Sequence, residues 1–191
     1  MRNYNHLELY LNLLLGDLYG QPPDAGHTGM CAEVINLWIP AMTSVKTVLD
    51  LGCGEACIAE PYFTALGKEY TGITLGSEAI TAQKTGKNVL NMDFNFLEFE
   101  DNSFDLLFSR HSLEHSPMPL LTLMEWKRVA IDFLCVVLPN PEHFTYKGKN
   151  HYSVMLPEQF RWLCEVSGWN VIWENYDEKQ ELRFMCEKVR T

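Results

Sequence analysis

The chain has 191 residues, 47% of them hydrophobic, and a formal net charge of −10 at pH 7. That length suits a single domain, residues 1–191, with enough chain to bury a full core. The acidic balance argues against a broad phosphate-binding face, so nucleic acid is not expected as a partner.

Residues 1–44 read as an N-terminal helical extension. Asn5 and Glu8 form a plausible helix start, and Leu7, Tyr10, Leu11, Leu14, Leu15 and Leu18 recur at helical spacing. Gly20 to Gly26 breaks the chain, and a second helix starts at His27 or Thr28 and stops at Pro40. No basic segment with a small-residue cleavage site surrounds the first apolar stretch. No apolar run approaches the roughly 18 residues a membrane helix needs, so no membrane partner is expected. The six cysteines are scattered without a C-x-x-C pair. They predict reduced thiols in a cytoplasmic protein, with neither a disulfide frame nor a metal site.

Residues 45–191 alternate strand and helix. Val45 to Leu51 is strand one, and its tail Val48-Leu49-Asp50-Leu51 runs into Gly52-Cys53-Gly54-Glu55, a tight turn that opens a helix near Glu55. Glycine there permits a sharp turn and close approach to a ligand, beside the free N–H groups of a helix start. Pro61 would kink that helix. Tyr70 to Thr74, Asn88 to Met92 and Phe104 to Ser109 are strands two to four, with a short helix over Ser77 to Thr85. Ser116-Pro117 reads as an N-cap and first helical position of a helix reaching about Val129. Ile131 to Leu138, a continuous apolar run, is strand five. Pro157 to Ser167 is a helix capped by Gly168, followed by strands Trp169 to Glu174 and Glu181 to Glu187 around an acidic turn at Asp177-Glu178-Lys179. The expected fold class is α/β: a doubly wound, mostly parallel seven-stranded sheet, helices on both faces, and an antiparallel C-terminal edge pair.

The glycine turn is not a dinucleotide fingerprint, because Cys57 stands where G-x-G-x-x-G needs its third glycine. Asp50-Leu51-Gly52-Cys53-Gly54-Glu55-Ala56 instead closely resembles motif I of the class I S-adenosylmethionine (SAM)-dependent methyltransferases. Asp101 to Leu106 and Ser109 to His115 resemble that family's turn into strand four and the segment after it. The resemblance covers most of the chain after residue 45. It implies SAM as cofactor and S-adenosylhomocysteine (SAH) as product, held by Asp50, Gly52, Cys53, Gly54, Glu55, Thr74, Leu75, Asp93, Phe94 and Ser109. Asp93 matches the family's adenine-proximal acid. Thr74 departs from the pattern, since the family has a ribose-binding acid there; Glu78, four residues on, is the candidate substitute.

In a doubly wound sheet, ligands bind outside the carboxyl ends of the strands. His111, His115 and His151 follow strands four and five there, and they are the candidate general bases because imidazole titrates near neutrality. His27, His143 and Tyr152 are further candidates for contact with an acceptor. The loop from Asn140 to Leu156, at about 15 residues, is long enough to favour a functional role. The D/N/S-P-P-Y/F stretch of amino-methylating DNA enzymes is absent after strand four. The expected activity is therefore methyl transfer to a small-molecule hydroxyl or amine by in-line displacement. The alternative is a SAM- or SAH-binding protein without turnover. A nicotinamide oxidoreductase is disfavoured by the missing third glycine and missing ribose acid.

Overall fold

The structure is a computed structural model that describes residues 9–10, 25–141, 150–176 and 181–190, with the side chains of 25–28 excepted. Most of the first expected helix, His143 and the acidic turn at Asp177 to Lys179 lie outside the described residues. So does the side chain of His27.

Seven strands form one sheet: β1 (Thr47–Leu51), β2 (Glu69–Thr74), β3 (Val89–Asn91), β4 (Phe104–Arg110), β5 (Ala130–Pro139), β6 (Trp169–Tyr176) and β7 (Glu181–Lys188). Their order is β3-β2-β1-β4-β5-β7-β6. β1 to β5 pair in parallel, and β7 pairs antiparallel with both β5 and β6. The last two strands thus form the expected antiparallel pair at one edge. Within it β7 lies inside and β6 is the outer strand, so β7 alone runs against the sheet.

Alternation along the strands divides the core in two. Leu49, Leu51, Leu107, Leu134, Val136 and Leu138 join one cluster with Trp126 of α4 (Pro119–Val129) and Phe160 of α5 (Pro157–Ser167). Val48, Leu106, Phe108, Cys135 and Val137 join the other, with Val34 and Ile35 of α1 (Ala25–Trp38) and Phe63 of α2 (Glu60–Ala65). Each such aliphatic or aromatic side chain contributes about 1.5–3 kcal/mol on burial. The strands read as continuous apolar runs because both faces are covered.

Two helix starts differ from expectation. The segment after the glycine turn stays in turns through Ala59, and α2 begins at Glu60. Pro61 therefore stands in the first turn of α2, where a missing N–H costs nothing, and it kinks no helix. α4 begins at Pro119 rather than Pro117, because the Ser116 hydroxyl accepts from the Met118 N–H (3.1 Å) in a turn before the helix. Gly168 ends α5 as expected, at φ +84°. Among the described residues no helix is long and apolar enough to cross a membrane.

Candidate active site

Strand order reverses between β1 and β4, and a cavity opens at their carboxyl ends. Its floor is the glycine turn. The Gly52 and Cys53 N–H groups donate to Ile73 O (2.9 and 3.0 Å), which ties the turn to β2. Gly52 has φ +83°, and a Cβ there would lie 2.9 Å from Ser112 Cβ. Only glycine meets both demands without strain. Gly54 is different: a Cβ there would meet nothing within 4 Å, so the cavity is open beside it. No helix N-terminus lies at this turn, since α2 starts later.

Asp50, at the end of β1, is buried and accepts from the Tyr70 hydroxyl (2.7 Å). Burial raises its pKa to about 7, against the opposing pull of the Tyr70 bond and the Arg110 charge. Without ligand, the folded chain thus keeps the Asp50 proton that the unfolded chain releases near pH 4. Stability should fall as pH rises from about 4 to 7, and Asp50→Asn should remove that part of the fall. Denaturant titrations of both proteins across this range check it; parallel profiles would refute it.

At β2, Thr74 Oγ1 donates to Glu78 Oε2 (2.7 Å) from the first turn of α3 (Gly76–Lys84). Burial raises the Glu78 pKa, which the Thr74 bond partly offsets. Thr74, Leu75 and Glu78 all line the cavity. Past β3, the Asn95 backbone and side-chain N–H groups both donate to Asp93 Oδ1 (2.9 and 2.7 Å). Asp93 Oδ2 is buried with no hydrogen-bond partner among the described residues, and Asp93 and Phe94 line the cavity. Tyr10 of the N-terminal extension joins this end, its hydroxyl accepting from Asn95 Nδ2 (2.8 Å).

Past β4, His111 and His115 line the cavity, while Ser109 is fully buried within the strand and does not reach it. His111 adopts φ +52°, an uncommon conformation that clusters at functional sites. Its Nε2 lies 3.1 Å from Glu181 Oε1. His115 Nδ1 lies 3.2 Å from the Asn150 carbonyl, and its ring packs edge-on against His151 with centroids 4.7 Å apart. Burial, and then the neighbouring His151, lower the His115 pKa to about 4, so it is neutral near pH 7. His151 does not line the cavity itself and stands behind His115.

Glu181 escaped the sequence reading. Because β7 runs antiparallel, its first residue pairs with Pro139 at the carboxyl end of β5, beside the cavity. Arg110 Nη2 lies 2.7 Å and Arg183 Nη2 3.2 Å from its two oxygens, all three side chains being buried. Burial would raise the Glu181 pKa, but the His111 bond and the Arg110 and Arg183 charges hold it at about 2. β7 also carries Arg183, Glu187 and Lys188, so nothing local singled out Glu181 in the sequence.

Residues 49–132 match the Methyltransferase domain family. That segment of the chain is therefore similar to methyltransferase domains. Solved methyltransferases share its fold at low identity. An Aquifex aeolicus SAM-dependent methyltransferase is 22% identical, with 88% of this chain and 100% of that one covered and a TM-score of 0.62. One from Archaeoglobus fulgidus is 17% identical (84% and 94% covered, TM-score 0.68). The magnesium protoporphyrin IX methyltransferase of Synechocystis, solved with bound SAH, is 14% identical (97% and 95% covered, TM-score 0.69). No curated protein sequence matches this chain.

Proposed function

We propose that this chain is a methyltransferase that binds SAM in the cavity at the carboxyl ends of β1 to β4 and methylates a small-molecule hydroxyl or amine. The observation that carries the reading is the Gly52–Gly54 turn, locked by Ser112 on one side and open at Gly54 on the other, in one cavity with half-buried Glu78 after β2 and buried Asp93 after β3. The residues fit the cofactor: Gly52 to Glu55 would take its amino-acid part, the Thr74–Glu78 pair its ribose, and Asp93 Oδ2 with Phe94 its base. SAM supplies an activated methyl on a sulfonium. The chain's part is to hold acceptor and methyl in line, exclude water and take up a proton.

Glu78 supplies the carboxylate that the sequence lacks at Thr74. Glu78→Gln should therefore weaken SAM binding by roughly 1.5–3 kcal/mol, the range for hydrogen bonds to charged groups. Thr74→Asp should not tighten it, because two carboxylates would then face each other. Titration calorimetry on both variants checks this; tighter binding by Thr74→Asp would remove Glu78 from the role.

The acceptor would lie between His111, His115 and the segment carrying Asn150 and His151. His111, oriented by Glu181, is the member best held for proton transfer, and His115 and His151 complete the polar wall. The activity itself is tested by following SAH release from SAM across a panel of small hydroxyl and amine acceptors. If His111 is the base, His111→Ala lowers turnover about 10²- to 10⁴-fold with SAM affinity nearly intact. Full turnover in that variant assigns the proton elsewhere.

A further inference from the structure

The segments after β4 and β5 are stapled together beside the cavity. The Ser153 N–H donates to the Glu114 carbonyl (2.9 Å), and the Ser153 hydroxyl donates to the Ser116 carbonyl. This staple sets His151 against Glu114 and His115, and one ligand-type atom from each of the three lies within 4.8 Å of the other two.

We propose that Glu114, His115 and His151 form a binding site for one divalent transition-metal ion of the zinc type. Two observations support it besides proximity. Glu114 is 1% exposed, yet its Oε2 has no hydrogen-bond partner among the described residues. A buried carboxyl group with an unpartnered oxygen is costly, and the nearby Arg110 guanidinium is engaged by Glu181. The second is tautomeric. The Asn150 carbonyl can only accept, so His115 Nδ1 carries the proton and Nε2 keeps its lone pair. A ligating histidine is commonly oriented this way, its other ring nitrogen donating to a carbonyl.

Two imidazoles and one carboxylate match the donor set of zinc sites with three protein ligands and an open fourth position. Ligand atoms stand about 2.0–2.2 Å from such an ion, so the three groups would have to draw together around it. Of the three, His115 lines the cavity whereas Glu114 and His151 do not, so an ion there would stand at the cavity wall. A metal there would bind an acceptor oxygen and lower the pKa of its hydroxyl. The site thus narrows the acceptor to an alcohol or phenol, a specification that rests on the methyl-transfer reading above.

The test uses the full chain, stripped of metal with a chelator and titrated with zinc chloride by calorimetry and with cobalt chloride by visible absorption. One equivalent should bind, with cobalt giving ligand-field bands. Glu114→Gln and His151→Ala should each weaken zinc binding beyond the about 10- to 100-fold typical of a lost outer-shell partner. Thermal melts establish that each variant folds, and His151, half-buried on a loop, is the substitution the fold tolerates more easily. Absence of a stoichiometric site, or undiminished binding in a folded His151→Ala variant, overturns the proposal. SAH titrated into the same metal-free protein reports separately on the methyl-transfer reading, so either can fail alone.

Discussion

Glu181→Gln should destabilise the protein by about 3–5 kcal/mol at pH 7, the range for removing one partner of a buried ion pair. The substitution leaves Arg110 and Arg183, both buried, facing a neutral amide. The effect carries a pH signature. Because the folded-state pKa of Glu181 is lowered to about 2, its contribution is present above the unfolded value of about 4.3 and is lost as pH falls toward 2. Urea titrations of wild type and variant should therefore converge with acidification below about pH 4. A constant difference down to pH 2 would mean that packing, not charge, makes Glu181 important. The same variant frees His111 from its orienting carboxylate, so any turnover lost beyond the stability effect reports on that role.

Gly52→Val should abolish cofactor binding. The valine Cβ would sit 2.9 Å from Ser112 Cβ on a backbone at φ +83°, a conformation that costs an L-residue roughly 1–2 kcal/mol before any clash. Relieving the clash must move either the Ser112 segment or the turn, and both line the cavity. In wild type, SAH at 100 times its dissociation constant should stabilise the fold by about 2.7 kcal/mol. In Gly52→Val that increment should vanish even if the protein still folds. Gly52→Ala, with a smaller intrusion, should retain a reduced increment. Denaturation midpoints with and without SAH measure both, and an undiminished increment in Gly52→Val would exclude the turn from the binding site.

The parts of the fold that were legible in the sequence are those set by local chemistry. Buried parallel strands announce themselves as apolar runs such as Ile131 to Leu138, and the glycine turn is fixed by backbone sterics at Gly52. Pro61 was misread because proline inside a helix and proline at its first turn look alike until the start of the helix is known. Pro117 was misread for a similar reason: Ser116 offers a hydroxyl for a turn as readily as for a cap. The position of β7 was not legible. Both terminal strands alternate, and nothing local says which of them pairs with β5.

The site followed the same division. Asp50, Thr74, Asp93 and His111 stand at strand ends that the apolar runs mark out. Glu78 was within reach because it lies one helical turn from Thr74. Ser109 was misplaced because β4 continues to Arg110, which leaves the serine inside the sheet. Glu181 and the Glu114–His115–His151 cluster depend on tertiary contacts between segments far apart in sequence.

The most direct test of the central claim is titration calorimetry of SAH, and separately of NAD, into the purified protein. One SAH should bind per chain, and NAD should give no heat of binding. Binding of NAD with no response to SAH would contradict the account.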